Sequence, residues 1–208
     1  MSKKPPKVSP LAPEHWDKKL DQIAEDTKGP PINVHQLMAN NPSLLKAWWD
    51  FRNHAVEGGT LGKRAGELVI LRVAVHMQAW YEWGSHVDRA LTCGLTIDEI
   101  NHVLSYSTAE GWGVTDAVLL RAVDDLIAHH CLTEQIQIQL AQHFSSEQVM
   151  DIIAIHGMYV ILACMIKSWG LTLDQQVQER IAEQASERDF IAAAARFKST
   201  IDNINRLD

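Results

Sequence analysis

Glu82 and His86 stand four residues apart in Trp80-Tyr81-Glu82-Trp83-Gly84-Ser85-His86, and Glu67 lies one helix upstream. A spacing of i, i+4 places two side chains on one face of a helix. Glu67 opens the apolar run Leu68-Val69-Ile70-Leu71, where a carboxylate is costly to bury without a partner. A carboxylate and an imidazole that meet among aromatic rings are the ingredients of a proton-transfer site. On a solvated face the same pair would contribute only roughly a few tenths of a kcal/mol and no chemistry.

The elements that must position these groups are helices. Apolar residues recur with a period near 3.6, and no segment alternates strictly for more than a few residues, so the chain is expected to be all-α. Leu61 to His76 is apolar nearly all round, which marks a buried helix. Glu67 and Arg72 interrupt it, and each needs a partner. Ala79 to Thr92 forms the next helix, ended at Cys93-Gly94 by a glycine cap. Thr96 and Glu99 form a Thr-x-x-Glu capping box. Asn33 caps a short helix through Met38, and Asn41 caps one that begins at Pro42 and runs to Gly58-Gly59. Glu14 to Lys28 reads as a helix, Thr133 and Ser145 start two more, and Asp174 to Arg206 gives one or two polar, alanine-rich helices.

Three parts follow: an N-terminal arm and helix over 1–32, a helical domain over 33–174, and a C-terminal helical extension over 175–208. Met1 to Pro13, with four prolines and three lysines, reads as an extended arm. Leu95-Thr96-Ile97-Asp98-Glu99-Ile100 resembles Phe144-Ser145-Ser146-Glu147-Gln148-Val149. Both are expected to lead into long apolar helices, giving two weakly related helical halves around one core. The second half lacks a counterpart of Glu82 and His86, so function is expected in the first.

Composition excludes several classes. The chain has 208 residues, 46% hydrophobic and 22% charged, with net charge −7. No basic patch marks a nucleic-acid footprint. No run of 18 apolar residues is present, so no membrane-spanning helix is expected, and no apolar stretch of signal-peptide type follows the N-terminal lysines. A cytoplasmic location is the resulting expectation. Cys93, Cys131 and Cys164 are widely spaced and form neither a Cys-x-x-Cys pair nor a zinc pattern. No metal and no cofactor is expected.

The order Glu67, position 79, position 82, His86 resembles the carboxymuconolactone decarboxylase family of the alkylhydroperoxidase D-like superfamily. Peroxidase-related members carry Glu, an eleven-residue gap, then Cys-x-x-Cys-x-x-x-His. Here Ala79 and Glu82 occupy the cysteine positions. Glu82-Trp83-Gly84-Ser85-His86 resembles the Glu-aromatic-x-x-His of the decarboxylase-like branch. Glu67 to Ala74 looks like the family's first core helix, and Gly94 to Ile100 looks like its turn into the next. The resemblance spans roughly Asn33 to Asp174. It implies an alkylhydroperoxidase D-like helical bundle, a small-molecule substrate, and a homo-oligomer, trimeric or hexameric.

Decarboxylation needs an acceptor for the electrons of the broken C–C bond. In a carboxylated butenolide the conjugated lactone carbonyl accepts them, and a carbon must then be protonated. His86, where the resemblance places the family's histidine, is the expected general acid/base. Glu82 orients it or exchanges the proton, and Glu67 is a buried relay. Arg72 is either the cation that holds the substrate's carboxylate or half of an internal ion pair. Trp80 and Trp83 flank the site and are expected to line a substrate pocket. His54 and His76 are secondary candidates by position. The leading function is therefore a cofactor-independent lyase or isomerase acting on a small carboxylated or lactone substrate. The alternatives are an alkylhydroperoxidase-like oxidoreductase, which needs a reactive cysteine pair, and a non-catalytic oligomeric protein that binds a small ligand.

Overall fold

The computed structural model describes residues 7–27, 29–57, 59–105 and 111–204, with backbone only at 57 and 199–204. Among them lie eleven α-helices and no strand. They are α1 Asp21–Asp26, α2 Asn33–Met38, α3 Pro42–Glu57, α4 Lys63–Met77, α5 Trp80–Thr92, α6 Ile97–His102, α7 Val114–His129, α8 Glu134–Leu140, α9 Ser146–Trp169, α10 Gln175–Arg180 and α11 Glu187–Ile204.

Helix α4 is the axis of the fold. Every residue from Gly66 to Val75 is buried, and α5, α7 and α9 pack directly against it. Helices α4 and α5 are joined by Gln78 and Ala79 alone. Gln78 adopts a left-handed conformation at φ 50°, and its N–H and that of Ala79 cap the last carbonyls of α4. This corner brings the Glu67 face of one helix against the His86 face of the next. On the other side of α5, Gly84 admits Leu173. A Cβ at Gly84 would stand 2.7 Å from Leu173 Cδ2.

Capping signals appear where the sequence carries them, with one exchange. Thr96 with Glu99 and Ser145 with Gln148 both close capping boxes. The first box leads into the six-residue α6, not the long apolar helix expected; the second leads into the 24-residue α9. Asn33 is the first residue of α2 rather than its cap. The capping oxygen comes from far along the chain: the Asn33 N–H donates to Asp174 Oδ1 at 2.9 Å. Tyr81 Oη completes this latch, donating to Asp174 Oδ2 at 2.6 Å and accepting from the Val34 N–H at 3.2 Å.

The two ends of the chain add to the central core. The helix expected over Glu14–Lys28 is instead two 3₁₀ turns, Pro13–His15 and Lys18–Leu20, followed by α1. Leu20 and Ile23 are buried in the common core. The first six residues of the expected arm, Lys28 and Gly58 lie outside the described residues. From Lys7 the arm is extended, and the Leu11 N–H donates to the Gln36 carbonyl. Helix α11 does not need a partner for its alanine-rich segment. It buries Phe190, Ala194 and Phe197 against α4 and α5. Exposed apolar residues include Ile191 on α11 and Met150, Ile153 and Ile161 on α9. Helix α9 also corrects the expectation about spanning length: it is long and apolar enough to cross a bilayer. In this fold one side of it packs on α4, burying Ile152, Ile155, Met158 and Ile166.

Arg72 shows how α4 tolerates a charge in its middle. The side chain is fully buried. Nε and Nη2 donate to the two oxygens of Asp124 at 2.6 and 2.8 Å, and Nη1 donates to the Val103 and Ser105 carbonyls. The guanidinium lies 4.2 Å from the Phe197 ring centre, a cation–π distance. His76 Nε2 adds a third bond to Asp124 at 2.7 Å. Burial alone would raise the Asp124 pKa, but the His76 and Arg72 contacts outweigh it and hold it well below the ordinary carboxylate range. Removing one member of such a pair strands a buried charge. Asp124→Ala is therefore expected to cost about 3–5 kcal/mol in urea unfolding, and Arg72→Met combined with Asp124→Leu to cost clearly less than the single change. A single-mutant cost within the range of ordinary surface substitutions would show that the network is dispensable.

Candidate active site

Helix α5 presents Glu82, Ser85, His86 and Arg89 to one internal cavity, the i, i+3, i+4, i+7 stripe of a helix face. Its opposite face, with Trp83 and Ala90, is buried in the core. The remaining walls come from α2 with Val34, His35 and Met38, from α3 with Trp48 and Arg52, and from α9 with Met158, Tyr159 and Leu162. The cavity is small, about 50 Å³, room for one or two water-sized groups.

His86 Nδ1 lies 2.6 Å from Glu67 Oε2, and both side chains are buried. The Tyr159 ring meets the imidazole edge-on at 5.0 Å between centres. Burial lowers the His86 pKa, and the Glu67 carboxylate only partly opposes this. The ring is therefore neutral near pH 7. A neutral ring bonded to a carboxylate through Nδ1 must keep its proton there. Nε2 is then a bare lone pair beside the cavity, in the state of a general base.

Glu82 is in the opposite condition. It is 1% exposed, and neither carboxyl oxygen has a hydrogen-bond partner. Burial raises its pKa well above the ordinary value, and the Lys167 charge lowers it too weakly to compensate. An unpartnered ionised carboxylate in such a place costs several kcal/mol even after relaxation, whereas an unsatisfied neutral polar group costs about 1–3 kcal/mol. Glu82 is accordingly a neutral acid at pH 7. Two carboxyl groups thus serve one cavity in different roles. Glu67 orients the imidazole, and Glu82 holds a transferable proton. The roles expected from spacing are exchanged, because Glu82 does not bond His86.

The structure brings Glu67, Glu82 and His86 together and moves three other candidates away. Arg72 is consumed by Asp124 and two carbonyls, the internal ion pair that was its other reading, and does not line the cavity. Trp83 turns to the opposite face of α5 and stacks on Phe190 at 5.1 Å. Trp80 lines a separate surface groove with Gln78 and Lys167. Neither tryptophan lines the cavity, because 80 and 83 lie off the 82/86 stripe. His54 is tied to Asp151 at 2.7 Å and His76 to Asp124, both away from the cavity.

Two cations, Arg52 and Arg89, line the cavity, and Arg89 is the one on the His86 stripe of α5. The Arg89 side chain makes no hydrogen bond or ion pair among the described residues. Its position seven residues after Glu82 was available in the helix period; Arg52, His35 and Tyr159 come from other helices and carried no such signal. No cysteine lines the cavity: Cys93 is half-buried, and Cys131 and Cys164 are exposed. Among the described residues no three His, Cys, Asp or Glu side chains gather as a metal site.

The fold agrees with what the chain is similar to. Residues 42–125 match the model of the carboxymuconolactone decarboxylase family. The fold is that of alkylhydroperoxidase D-like proteins. A peroxidase-related protein from Ralstonia eutropha JMP134 with an alkylhydroperoxidase AhpD core aligns at TM-score 0.70 and 20% identity, over 84% of this chain and 96% of its own. The debrominase Bmp8, solved with 2,3,4-tribromopyrrole, aligns at 0.69 and 15% identity, over 86% and 97%. A protein from Agrobacterium tumefaciens aligns at 0.61 and 21% identity, over 66% and 94%. No curated protein matches the chain.

The neutral state of Glu82 has a measurable consequence. Above its unfolded pKa the unfolded chain has lost this proton while the folded chain keeps it. Stability therefore falls as pH rises, by at most about 1.4 kcal/mol per pH unit, until the raised folded pKa is reached. Glu82→Gln removes this dependence. The variant should gain stability relative to the parent from pH 5 to pH 8, whatever its offset at pH 5. Parallel stability–pH curves in urea titrations would mean that Glu82 is ionised in the folded protein.

Proposed function

We propose that the protein is a cofactor-independent acid–base enzyme, a decarboxylase or isomerase acting on a small carboxylated or lactone substrate through an enolate. The observation that carries this reading is the pairing, in one cavity, of a bare imidazole nitrogen with a neutral, unpartnered carboxylic acid. Environments that push two titratable groups in opposite directions set out a base and an acid for use at the same pH. The match of residues 42–125 to the carboxymuconolactone decarboxylase family model supports the decarboxylase sense.

In decarboxylation the C–C bond breaks, CO₂ leaves, and the electron pair enters the conjugated carbonyl. Glu82 hydrogen-bonds the developing oxyanion or gives its proton to the vacated carbon, and is reprotonated from solvent. In isomerisation His86 Nε2 takes a carbon-bound proton and returns it elsewhere on the enolate. Glu67 fixes the tautomer in both cases. Arg89 receives a substrate carboxylate, a charge-assisted contact. Thiol peroxidase chemistry finds no support in the cavity, which Ala79 and Glu82 leave without the pair of thiols.

Carboxylated butenolides, 4-carboxymuconolactone first, are the substrates to assay, with CO₂ release and proton exchange as readouts. His86→Gln is expected to lower kcat for proton exchange and isomerisation by about a hundred- to ten-thousand-fold, with the fold retained. Glu67→Gln should approach the same loss, because an amide at that place favours the proton on Nε2 and removes the base. The double mutant should then be far from additive. The parental rate should rise with pH through the lowered His86 pKa and fall through the raised Glu82 pKa. His86→Gln should lose the acidic limb and Glu82→Gln the alkaline limb. Near-parental kcat in His86→Gln with an unchanged profile would reduce the pair to a structural one.

The exposed Met150 and Ile153, one turn apart on α9, with Ile161 about two turns further along, support a homo-oligomer as the working form, since apolar surface beyond single scattered residues marks interfaces. Light scattering at micromolar concentration should give a multiple of 23.4 kDa; the monomer mass would overturn this.

A further inference from the structure

One polar side chain in the cavity wall takes no part in the chemistry above. His35, on α2, is 6% exposed and lines the same cavity as Glu82 and His86. Its side chain makes no hydrogen bond among the described residues, and Nδ1 is sealed from solvent without a partner. Trp49 meets the ring at 5.0 Å between centres and 73° between planes. That contact needs only a flat ring. A phenylalanine would make it without the roughly 1–3 kcal/mol that an unsatisfied buried polar group costs. Packing therefore explains the ring and leaves its nitrogens unexplained.

The surroundings fix what those nitrogens can do. Burial first, then the charges of Arg52 and Arg89, hold the His35 pKa down to about 3. The ring is therefore neutral near pH 7 and neither stores nor supplies a proton there. A neutral imidazole has one N–H and one lone pair. An under-satisfied acceptor is tolerated more often than an orphaned N–H. The lone pair accordingly falls on the sealed Nδ1 and the N–H on Nε2, the nitrogen that is not sealed. The same cations that oppose a positive charge on this ring favour a negative charge beside it. Preorganised donors in a water-poor site are worth most where charge develops during the reaction, and in an enolate that charge falls on oxygen.

Resting on the acid–base reading above, we propose that His35 is a catalytic residue of this site, whose Nε2–H donates to the enolate oxygen. As the C–C bond breaks and CO₂ leaves, the electron pair passes through the conjugated system to the carbonyl oxygen, and His35 holds the charge there. Glu82 is then free to give its proton to carbon. The carbonyl re-forms, and Glu82 regains a proton from solvent. A neutral imidazole N–H is too weak an acid to be transferred to the enolate, so the oxygen is stabilised without being protonated. The reacting end of the substrate is a compact conjugated carbonyl, which a cavity of about 50 Å³ admits.

Two measurements on the full chain test this. In the first, His35→Phe keeps a flat ring and removes the donor. It is expected to lower kcat on 4-carboxymuconolactone by about a hundred- to a thousand-fold, with KM little changed and stability in urea not reduced. His35→Gln, which carries a neutral amide donor, should recover part of the rate. In the second, propionate serves as a small, unreactive oxyanion followed by NMR. It should move the His35 ring N–H resonance, identified by its absence in His35→Phe, and should bind that variant about tenfold more weakly. Parental kcat in a folded His35→Phe, a loss of stability without a loss of rate, no binding of propionate, or a His35 resonance unmoved at saturation would each overturn the proposal. If the lactone is not turned over, the propionate result decides alone. Propionate binding involves no proton transfer, so the His35 contact can fail while the His86→Gln kinetics succeed, and the reverse.

Discussion

The hydrogen bond from His86 to Glu67, 2.6 Å long and sealed between α4 and α5, is the interaction on which the site depends. It crosses two helices whose packing the α4–α5 corner dictates. It also decides a proton's address. With Nδ1 committed to a carboxylate, the opposite nitrogen is the one that meets a ligand. Burial then removes the net charge from the ring and leaves a base where a surface pair would have held an ion pair of little worth.

The contrast between Glu67 and Glu82 follows from partners rather than residue type. Both are at least 95% buried. Glu67 has an imidazole N–H to bond; Glu82 has nothing within hydrogen-bond reach. A group without a partner escapes the cost of a buried charge by staying protonated. The fold accepts an unsatisfied carboxyl there, a small cost of the kind that recurs at functional sites.

Arg72, buried, and Arg89, partly buried, make the same point for cations. Arg72 sits at the centre of α4 with all three guanidinium nitrogens bonded to Asp124 or to carbonyls, so it stabilises and does not bind. Arg89 lies on the cavity stripe with no side-chain hydrogen bond or ion pair among the described residues. Both look alike as an arginine in an apolar helix. The difference lies in α7, which delivers Asp124 to one and nothing to the other.

Much of this was legible in the sequence. The period near 3.6 specified helices, because burying one stripe is what an amphipathic segment must do. Thr96-x-x-Glu99 and Ser145-x-x-Gln148 announced two helix starts through local bonds that need no tertiary partner. Glu67, Glu82 and His86 were recognisable as a set through spacing and family likeness. Tertiary structure decided what those residues are. It paired His86 with Glu67 instead of Glu82 and isolated Glu82. It spent Arg72 on Asp124 and turned Trp80 and Trp83 to other surfaces. From separate helices it supplied Arg52, His35 and Tyr159, and from 141 residues away it capped α2 with Asp174. Spacing along one helix reports which side chains share a face, whereas protonation state and charge pairing depend on what stands opposite that face, and opposite faces belong to segments distant in the chain.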